Sequence, residues 1–184
     1  MRLKFSSLRV NRFDIFDLLF IAFVLCVLIS NIIWFKTDNS IDGVDSQNHL
    51  LFSMEFFNDF SSVIHSDITM LTKVSSLIRA IRVSPGSDPY WPPGLSLTSF
   101  LFYSSLGKSL FAAKVSILPY LFILLFSTYC LGKHIGSGLS GLTATFLIFF
   151  YPIIFQSSRQ YQLDLPLTAM VVLSVFFLLK SNQF

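Results

Sequence analysis

Two acidic residues of this sequence stand where carboxylates commonly serve chemistry, because each lies at the edge of an apolar stretch. Asp45 follows the first apolar stretch after a short polar spacer, and Asp164 lies immediately before the last one. Carboxylates beside membrane spans are a usual sign of a catalytic or ion-binding site. Two of them in one site can position or deprotonate a hydroxyl group, or hold a divalent cation. Asp45 and Asp164 are therefore the candidate catalytic residues.

The residues around Asp45 add candidate contacts for a substrate. His49 follows Asp45 by four positions, so the two side chains share one face if a helix begins here. Asp42, three positions before Asp45, is a further candidate for substrate binding. The alternative interpretation is that Asp42 or Asp45 only caps the N-terminus of a helix.

The segment before Asp164 is crowded with polar side chains between positions 158 and 164. Arg159 offers a guanidinium fork that suits phosphate, so Arg159 and Tyr161 are also candidate substrate-binding residues. Because Pro166 is favourable in the first turn of a helix, the alternative is that Asp164 acts only as an N-cap. The polar segment is richer than capping requires.

The composition indicates a membrane protein. The 184 residues are 53% hydrophobic and only 12% charged, whereas soluble domains are about 25% charged. A net charge of +3 is mild and gives no indication of nucleic-acid binding. Cys26 and Cys130 lie in or beside apolar stretches without neighbours at metal-ligand spacing, so we interpret both as apolar filler.

The apolar stretches predict an all-α, polytopic membrane protein with about four transmembrane helices. A helix needs about 20 residues to cross a hydrocarbon core of about 30 Å. We predict a cytoplasmic tail at 1–14, spans at 15–35, 110–131, 139–155 and 165–180, and extracytoplasmic segments at 36–109 and 156–164. Four basic residues precede the first span and no small-residue cleavage site follows it, which favours a retained helix with a cytoplasmic N-terminus.

The polar region 36–92 contains seven of the ten acidic residues. Apolar residues recur within it at helical spacing, which predicts two amphipathic helices: Leu50, Met54 and Phe57 in the first, and Met70, Val74, Leu77 and Ile81 in the second. One interpretation is that both helices lie on the membrane surface as juxtamembrane helices. The alternative is a small extracytoplasmic domain that packs on itself.

The apolar segment 94–106 decides whether the two acids share a side of the membrane. It follows Tyr90-Trp91-Pro92-Pro93 and has about 13 residues, or roughly 20 Å of helix, so we predict that it does not span. Asp45 and Asp164 then lie on the same side, and Lys133 and Lys180 lie on the basic, cytoplasmic side. If 94–106 did span, Asp164 would move to the opposite side and the pair would be lost.

The order of these features resembles the N-terminal module of the polytopic GT-C glycosyltransferases. The most similar branch is the family 39-like one, which includes protein O-mannosyltransferases and lipid A aminoarabinose transferases. The resemblance covers about residues 12–180 and rests on the first span, the acidic motif after it, Tyr90 to Gly94, Leu106-Gly107, and Asp164-Leu165-Pro166-Leu167. The motif of the first outer loop in that family is commonly Asp-Glu-x-x-Tyr. Here Asp45 keeps the first position, Ser46 replaces the Glu, and His49 holds the aromatic-type fifth position.

The resemblance implies transfer of a sugar from a polyprenyl-phosphate donor to a glycan, lipid or protein acceptor at the extracytoplasmic face, with inversion at the anomeric carbon. Asp45 would activate or position the acceptor hydroxyl, and Asp164 matches the acid of the second outer loop. The lipid phosphate would be held by Arg159 or by one of three basic residues of the long loop, Lys73, Arg79 and Arg82. A divalent cation is compatible with this chemistry without being required by it. The expected location is a bacterial inner membrane, or the endoplasmic reticulum of a eukaryote.

Members of that family are generally longer, so we interpret the chain as equivalent to the front module of such an enzyme. The first alternative is a small non-enzymatic integral membrane protein that acts as a subunit or binds a partner through its outer loop. The second is a channel or transporter fragment, which is disfavoured on the interpretation that no predicted span carries a charge in its middle.

Overall fold

The computed structural model describes residues 14–41, 43–65, 72, 75–76 and 94–181. Every bounded element within these residues is an α-helix, which confirms the predicted all-α class. The helices are α1 (Ile15–Thr37), α2 (Val44–His65), α3 (Gly94–Leu106), α4 (Leu110–Val115), α5 (Leu118–Ile135), α6 (Gly138–Phe149), α7 (Pro152–Ser157) and α8 (Asp164–Lys180). The predicted helix at 94–106 is confirmed with the same bounds.

The first helix begins where two acidic side chains cap it reciprocally. The Asp14 carboxylate accepts hydrogen bonds from the backbone N–H groups of Phe16 and Asp17, at 2.9 and 3.0 Å. The Asp17 carboxylate in turn accepts one from the backbone N–H of Asp14, at 2.8 Å. This capping box satisfies N–H groups that have no partner within the helix. The helix predicted at 15–35 is confirmed and continues to Thr37.

Two helical segments of the described chain are long and apolar enough to cross a membrane, Ile15–Thr37 and Leu110–Ile135. The second comprises α4 and α5, which meet at Ser116 and Ile117. Pro119 lies in the first turn of α5. Because proline has no backbone N–H, it cannot continue the hydrogen-bond ladder of α4. The predicted single helix at 110–131 is therefore two helices that follow each other.

The prediction of one continuous helix over 139–155 is wrong. That stretch forms α6, of 12 residues, and the short α7, with a break at Phe150 and Tyr151. Tyr151 precedes Pro152 and is extended, with φ −64° and ψ 124°, because the proline ring disfavours a helical residue before it. At 1.5 Å per residue α6 is about 18 Å long, well short of a hydrocarbon core of about 30 Å.

Ion pairs at both ends of α1 show that the segment α4–α5 runs antiparallel to it. At the C-terminal end of α1, Lys114 of α4 pairs with Asp38, with Nζ 2.9 Å from Oδ2. At the N-terminal end, Lys133 of α5 pairs with Asp17 at 2.6 Å, and the hydroxyl of Tyr129 donates to Asp17 at 2.7 Å. The bundle therefore has two distinct ends, which we name the Asp38 end and the Asp14 end.

The loop between α7 and α8 lies at the Asp38 end. The guanidinium of Arg159 lies over the ring of Trp34, 4.8 Å from its centroid, near the end of α1. The Ser158 hydroxyl is 3.5 Å from the side-chain oxygen of Asn31. Since α2 begins six residues after Asp38, the loop and the start of α2 occupy the same end of the bundle.

The buried face of α2 is covered by α3. Ser53 of α2 and Tyr103 of α3 share a hydrogen bond of 2.8 Å, and both side chains are buried. The Phe57 ring packs edge-on against the same tyrosine ring, with centroids 5.5 Å apart. This packing accounts for the apolar spacing of the first predicted amphipathic helix. The second predicted one, with Met70, Val74, Leu77 and Ile81, lies outside the described residues.

Candidate functional site

The structure brings Asp45, His49 and Asp164 together at the Asp38 end. Asp45 lies in the first turn of α2, His49 follows it one turn later, and Asp164 opens α8. Burial lowers the pKa of the half-buried His49 imidazole below its usual 6.5, while the negative charges of Asp45 and Asp164 both act in the opposite direction. Both carboxylates are therefore close enough to interact electrostatically with one imidazole, although His49 and Asp164 are 115 positions apart in the chain.

Neither acid is the N-cap residue of its helix. Asp45 is the second residue of α2, which begins at Val44. The N-cap of α8 is Leu163, and no side chain accepts a capping hydrogen bond there. Asp45 and Asp164 are both exposed. Their carboxylates are therefore accessible to a substrate, and the N-cap interpretation does not describe their positions.

A cleft beside these residues is lined by two cations and several hydrogen-bonding side chains. Its lining residues are Asp38, Ser40, Ile41, Ser46, Leu110, Lys114, Arg159, Gln160 and Tyr161. The enclosed part of the cleft is about as large as one water molecule. It therefore fits one oxygen atom of an oxyanion, and a larger ligand would extend from it towards solvent.

Lys114 is the buried cation of the cleft, with only 3% of its side chain exposed. Its ammonium group donates to the Asp38 carboxylate at 2.9 Å and to the Asp38 backbone carbonyl at 3.0 Å. Hydrogen bonds from Ser40, and then from Lys114, lower the pKa of Asp38 from 3.8 to about 2. Asp38 is therefore ionised at neutral pH and neutralises Lys114, which holds α4 against the end of α1.

Arg159 is the second cation, and its charge has no carboxylate partner among the described ion pairs. Its guanidinium is stacked on aromatic rings, with the central carbon 4.0 Å from the Phe155 ring centroid and 4.8 Å from that of Trp34. Its Nε is buried without a hydrogen-bond partner. Burial lowers the pKa of the guanidinium below its usual value, but an arginine remains charged near neutral pH. Its donors are thus available to an anion.

Ser46 contributes a second unsatisfied polar group to the cleft. Its side chain is 1% exposed, and its Oγ has no hydrogen-bond partner. Buried polar atoms without partners cost about 1–3 kcal/mol each, so a partner from a ligand or from solvent would relieve that cost. Ser46 follows Asp45 directly in α2. The unsatisfied hydroxyl therefore connects the cleft to the acidic cluster.

Tyr161 is one of the residues that line the cleft, and its hydroxyl is bonded inside the protein. The hydroxyl is 2.6 Å from Ser99 Oγ, and the side chain is only 2% exposed. Burial raises the pKa of this phenol above its usual value, so it stays protonated. The hydroxyl is thus already bonded to the protein, and the substrate-binding role of Tyr161 stays a prediction.

Several predicted residues fall outside the described part of the chain. These are Asp42 and the three basic residues Lys73, Arg79 and Arg82. Within the described ranges, no three His, Cys, Asp or Glu side chains form a group that could hold a metal ion. The structure therefore adds no observation in favour of the divalent cation considered from the sequence.

Sequence reasoning missed Lys114 and Ser46. Lys114 lies inside a stretch that was predicted to span the membrane, and an ionisable residue within such a stretch is itself a signal of function. Lys114 is the fifth residue of that stretch, so the prediction that no span carries a charge in its middle did not apply to it. Ser46 was noted only as the residue that replaces the Glu of the family motif, because its importance depends on burial and on the absence of a partner.

No family model, curated protein or solved structure matches this chain. The resemblance to GT-C glycosyltransferases therefore remains a prediction from motif order and spacing. The argument for a function depends on the side chains gathered at the Asp38 end.

Proposed function

We propose that the chain is an integral membrane protein whose Asp38 end carries a site for sugar transfer from a polyprenyl-phosphate donor to an acceptor hydroxyl. The observation that carries the proposal is that Asp45 and Asp164 both lie within electrostatic range of His49, beside a cleft that contains Arg159. Such a site combines carboxylates for an acceptor hydroxyl with a cation for a phosphate. Both are needed when a sugar leaves a lipid phosphate.

The membrane part of the proposal is supported by the surface of the bundle. Two segments have the length and apolar character of spans, and Leu18, Leu25 and Ile29 of α1 point outward and are exposed. Contiguous exposed apolar residues of this kind mark a membrane or partner contact. Lys133 lies at the Asp14 end, and four basic residues precede Asp14 in the sequence. The bias of basic residues towards the cytoplasm then puts the Asp38 end on the extracytoplasmic side.

The proposed reaction exchanges one bond at the anomeric carbon for another. The acceptor oxygen attacks that carbon, and the bond from the carbon to the phosphate oxygen breaks, with its electron pair going to the lipid phosphate. A carboxylate is a weaker base than a neutral imidazole. In the proposed reaction Asp45 positions the acceptor hydroxyl, the neutral imidazole of His49 accepts its proton, and the Asp164 carboxylate stabilises the imidazolium that forms.

The phosphate that leaves is stabilised by the cationic side of the site. Arg159 presents donors that are not bonded to a carboxylate, and Ser46 Oγ has no partner. Charge-assisted hydrogen bonds to an oxyanion are about twice as strong as neutral ones. The same groups stabilise the charge that develops on the phosphate as the bond to the sugar breaks.

The test is a transfer assay with the purified chain in lipid vesicles, using a labelled polyprenyl-phosphate sugar and a hydroxyl acceptor. Formation of product and release of polyprenyl phosphate are measured for the wild type, Asp45→Asn and Arg159→Gln. Glu55→Gln is the matched control, because Glu55 is an exposed acid on the same helix as Asp45. The proposal predicts transfer that falls at least about 100-fold in Asp45→Asn and is unchanged in Glu55→Gln.

Equal activity of Asp45→Asn and the wild type, with both proteins folded, would exclude a role of this carboxylate in the reaction. No turnover by the wild type, combined with binding of a partner protein that Asp45→Asn leaves intact, would favour the non-enzymatic alternative. Loss of donor affinity in Arg159→Gln, measured with the labelled lipid alone, tests the phosphate contact separately.

A further inference from the structure

Five hydroxyl groups are buried together beneath the candidate site. They belong to Ser53, Ser99, Tyr103, Ser116 and Tyr161, and each of these residues is at most 2% exposed. Tyr161 Oη lies 2.6 Å from Ser99 Oγ, which lies 2.9 Å from Ser116 Oγ. The hydroxyls of Ser53 and Tyr103 are 2.8 Å apart. The cluster joins α2, α3, the end of α4 and the loop between α7 and α8.

The bond between Tyr161 and Ser99 has a defined direction. Ser99 Oγ is 2.9 Å from the backbone carbonyl of Leu95, which can only accept a hydrogen bond. A serine hydroxyl has one proton, so Ser99 donates to Leu95 and accepts from Tyr161. The phenol of Tyr161 is therefore the donor that fastens its loop to α3.

The fastened loop carries the groups that the site needs. Tyr161 follows Arg159 by two residues and precedes Asp164 by three. Its 2.6 Å bond to Ser99 is much shorter than the 3.5 Å contact between Ser158 of the same loop and Asn31 of α1. Tyr161 is thus a firm attachment of the start of α8 to the rest of the bundle.

The other side of the site rests on the same helix. Ser53 and Tyr103 join α2 to α3, and Ser53 lies one turn after His49 on α2. α3 therefore supports both α2, which carries His49, and the loop that leads to Asp164. α2 is also held against α3 by ring packing of Phe57 on Tyr103 and of Phe60 on Phe100, which does not require the Tyr103 hydroxyl.

We propose that Tyr161 is a positioning residue that sets the distance between the Asp164 carboxylate and the His49 imidazole through its hydrogen bond to Ser99. The distance between Asp164 and His49 is a property of the folded protein alone, whereas the effect of Tyr161 on sugar transfer rests on the proposed function. Tyr161→Phe keeps the ring in place and removes only the donor. The loop loses its bond to α3, and Asp164 moves away from His49.

The experiment is an NMR titration of the His49 imidazole in the full chain, assigned by comparison with His49→Gln. Asp45 from α2 and Asp164 from α8 are the charged groups that act on this imidazole. Asp164→Asn removes the whole contribution of that carboxylate to the pKa of His49 and is expected to lower this pKa. Tyr161→Phe is expected to lower the same pKa by about 0.2–0.5. Tyr103→Phe is the matched control, because it removes a buried phenol hydroxyl that bonds α2 to α3 and leaves the bond between Tyr161 and Ser99 in place, and it is expected to leave the titration unchanged.

The decisive arm is the double variant Tyr161→Phe/Asp164→Asn. If Tyr161 acts through Asp164, its effect disappears once that carboxylate is absent. An unchanged titration in Tyr161→Phe, a shift that persists in the double variant, or no shift in Asp164→Asn would each overturn the inference. Should Tyr161→Phe fail to fold, Ser99→Ala removes the acceptor of the same bond and carries the same expectations.

The titration requires no turnover, so the two proposals fail separately. A protein that shows the expected shifts without transferring sugar would retain the positioning role and lose the proposed function. In an active protein, kcat is expected to fall in Tyr161→Phe with little change in KM for the acceptor. In Tyr103→Phe neither kcat nor KM is expected to change.

Discussion

The ammonium group of Lys114 lies 2.9 Å from the carboxylate of Asp38, beside the cleft and at the end of α1 opposite to the pair formed by Lys133 and Asp17. Each pair joins α1 to the segment α4–α5, so the two together fix both the antiparallel direction and the register of these segments. The register in turn holds the cleft against the end of α1. The candidate site thus depends on contacts that lie outside the acidic cluster.

Removing the Asp38 side chain is expected to destabilise the protein. In Asp38→Ala the buried ammonium of Lys114 keeps only the backbone carbonyl as a partner, and an incompletely paired buried group costs about 1–3 kcal/mol. Lys108→Met is the control, since Lys108 is bonded to Asn58 at an exposed position. Thermal unfolding in detergent checks this, and equal midpoints for the two variants would contradict the structural role of the pair.

The contribution of Asp38 is also expected to depend on pH. Its pKa is lowered from 3.8 to about 2, first by hydrogen bonds from Ser40 and then by Lys114. A carboxyl group whose pKa is lower in the folded state stabilises that state fully above its unfolded pKa and loses the effect as the pH falls through the folded one. The difference in unfolding midpoint between the wild type and Asp38→Ala should thus be constant above about pH 4 and shrink towards pH 2. A difference that stays constant over this range would be inconsistent with the ion pair.

The contact between α5 and α6 predicts a steric effect at Gly141. A Cβ added there would lie 2.6 Å from the backbone oxygen of Tyr129, which cannot easily move. Overpacking of this kind costs about 1–3 kcal/mol, so Gly141→Ala should lower the unfolding midpoint. Gly94→Ala is the control, because nothing lies within 4 Å of its added Cβ. A Gly141→Ala protein as stable as Gly94→Ala would show that the two helices are farther apart than described.

The two ends of the bundle should face opposite sides of a membrane. Asn48 and Gln162 lie near the Asp38 end, whereas Ser181 follows α8, which packs along α5 towards the Asp14 end. Single cysteines at these three positions, in a chain whose two native cysteines are replaced by serine, are treated with a membrane-impermeant thiol reagent in sealed vesicles. Labelling of Asn48→Cys and Gln162→Cys from one side and Ser181→Cys from the other is expected. Labelling of Gln162→Cys from the same side as Ser181→Cys would mean that Asp45 and Asp164 lie on opposite sides of the membrane.

Much of the helical structure could be predicted from local patterns. The segment 94–106 is bounded by prolines and by Gly107, whose φ of 81° favours glycine, and its predicted bounds are correct. The prediction for the stretch 139–155 was wrong, because its apolar character is continuous while its helix is interrupted. Pro152 interrupts the helix there, as the constraint on the residue before a proline predicts.

The candidate site was only partly predictable. The acids and Arg159 stood out because polar side chains at the ends of apolar stretches are few. Their association with one imidazole depends on tertiary packing, which single-sequence periodicity does not contain. The Tyr161–Ser99 bond joins residues 62 positions apart, and neither residue type is unusual in its own segment.

The central claim is that Asp45 and Asp164 act together in one catalytic site. A double-mutant cycle on sugar transfer tests it most directly, with kcat/KM measured for the wild type, Asp45→Asn, Asp164→Asn and the double variant. Residues that act as a unit give strongly non-additive effects, because removing the first already disables the second. Each single variant is expected to lose about 100-fold or more.

The account predicts that the double variant is scarcely slower than the more damaged single variant. Losses that multiply, so that the double variant falls by the product of the two single effects, would mean that the acids act independently. That result, or a wild-type chain without transfer activity in the same assay, would contradict a shared active site at the Asp38 end.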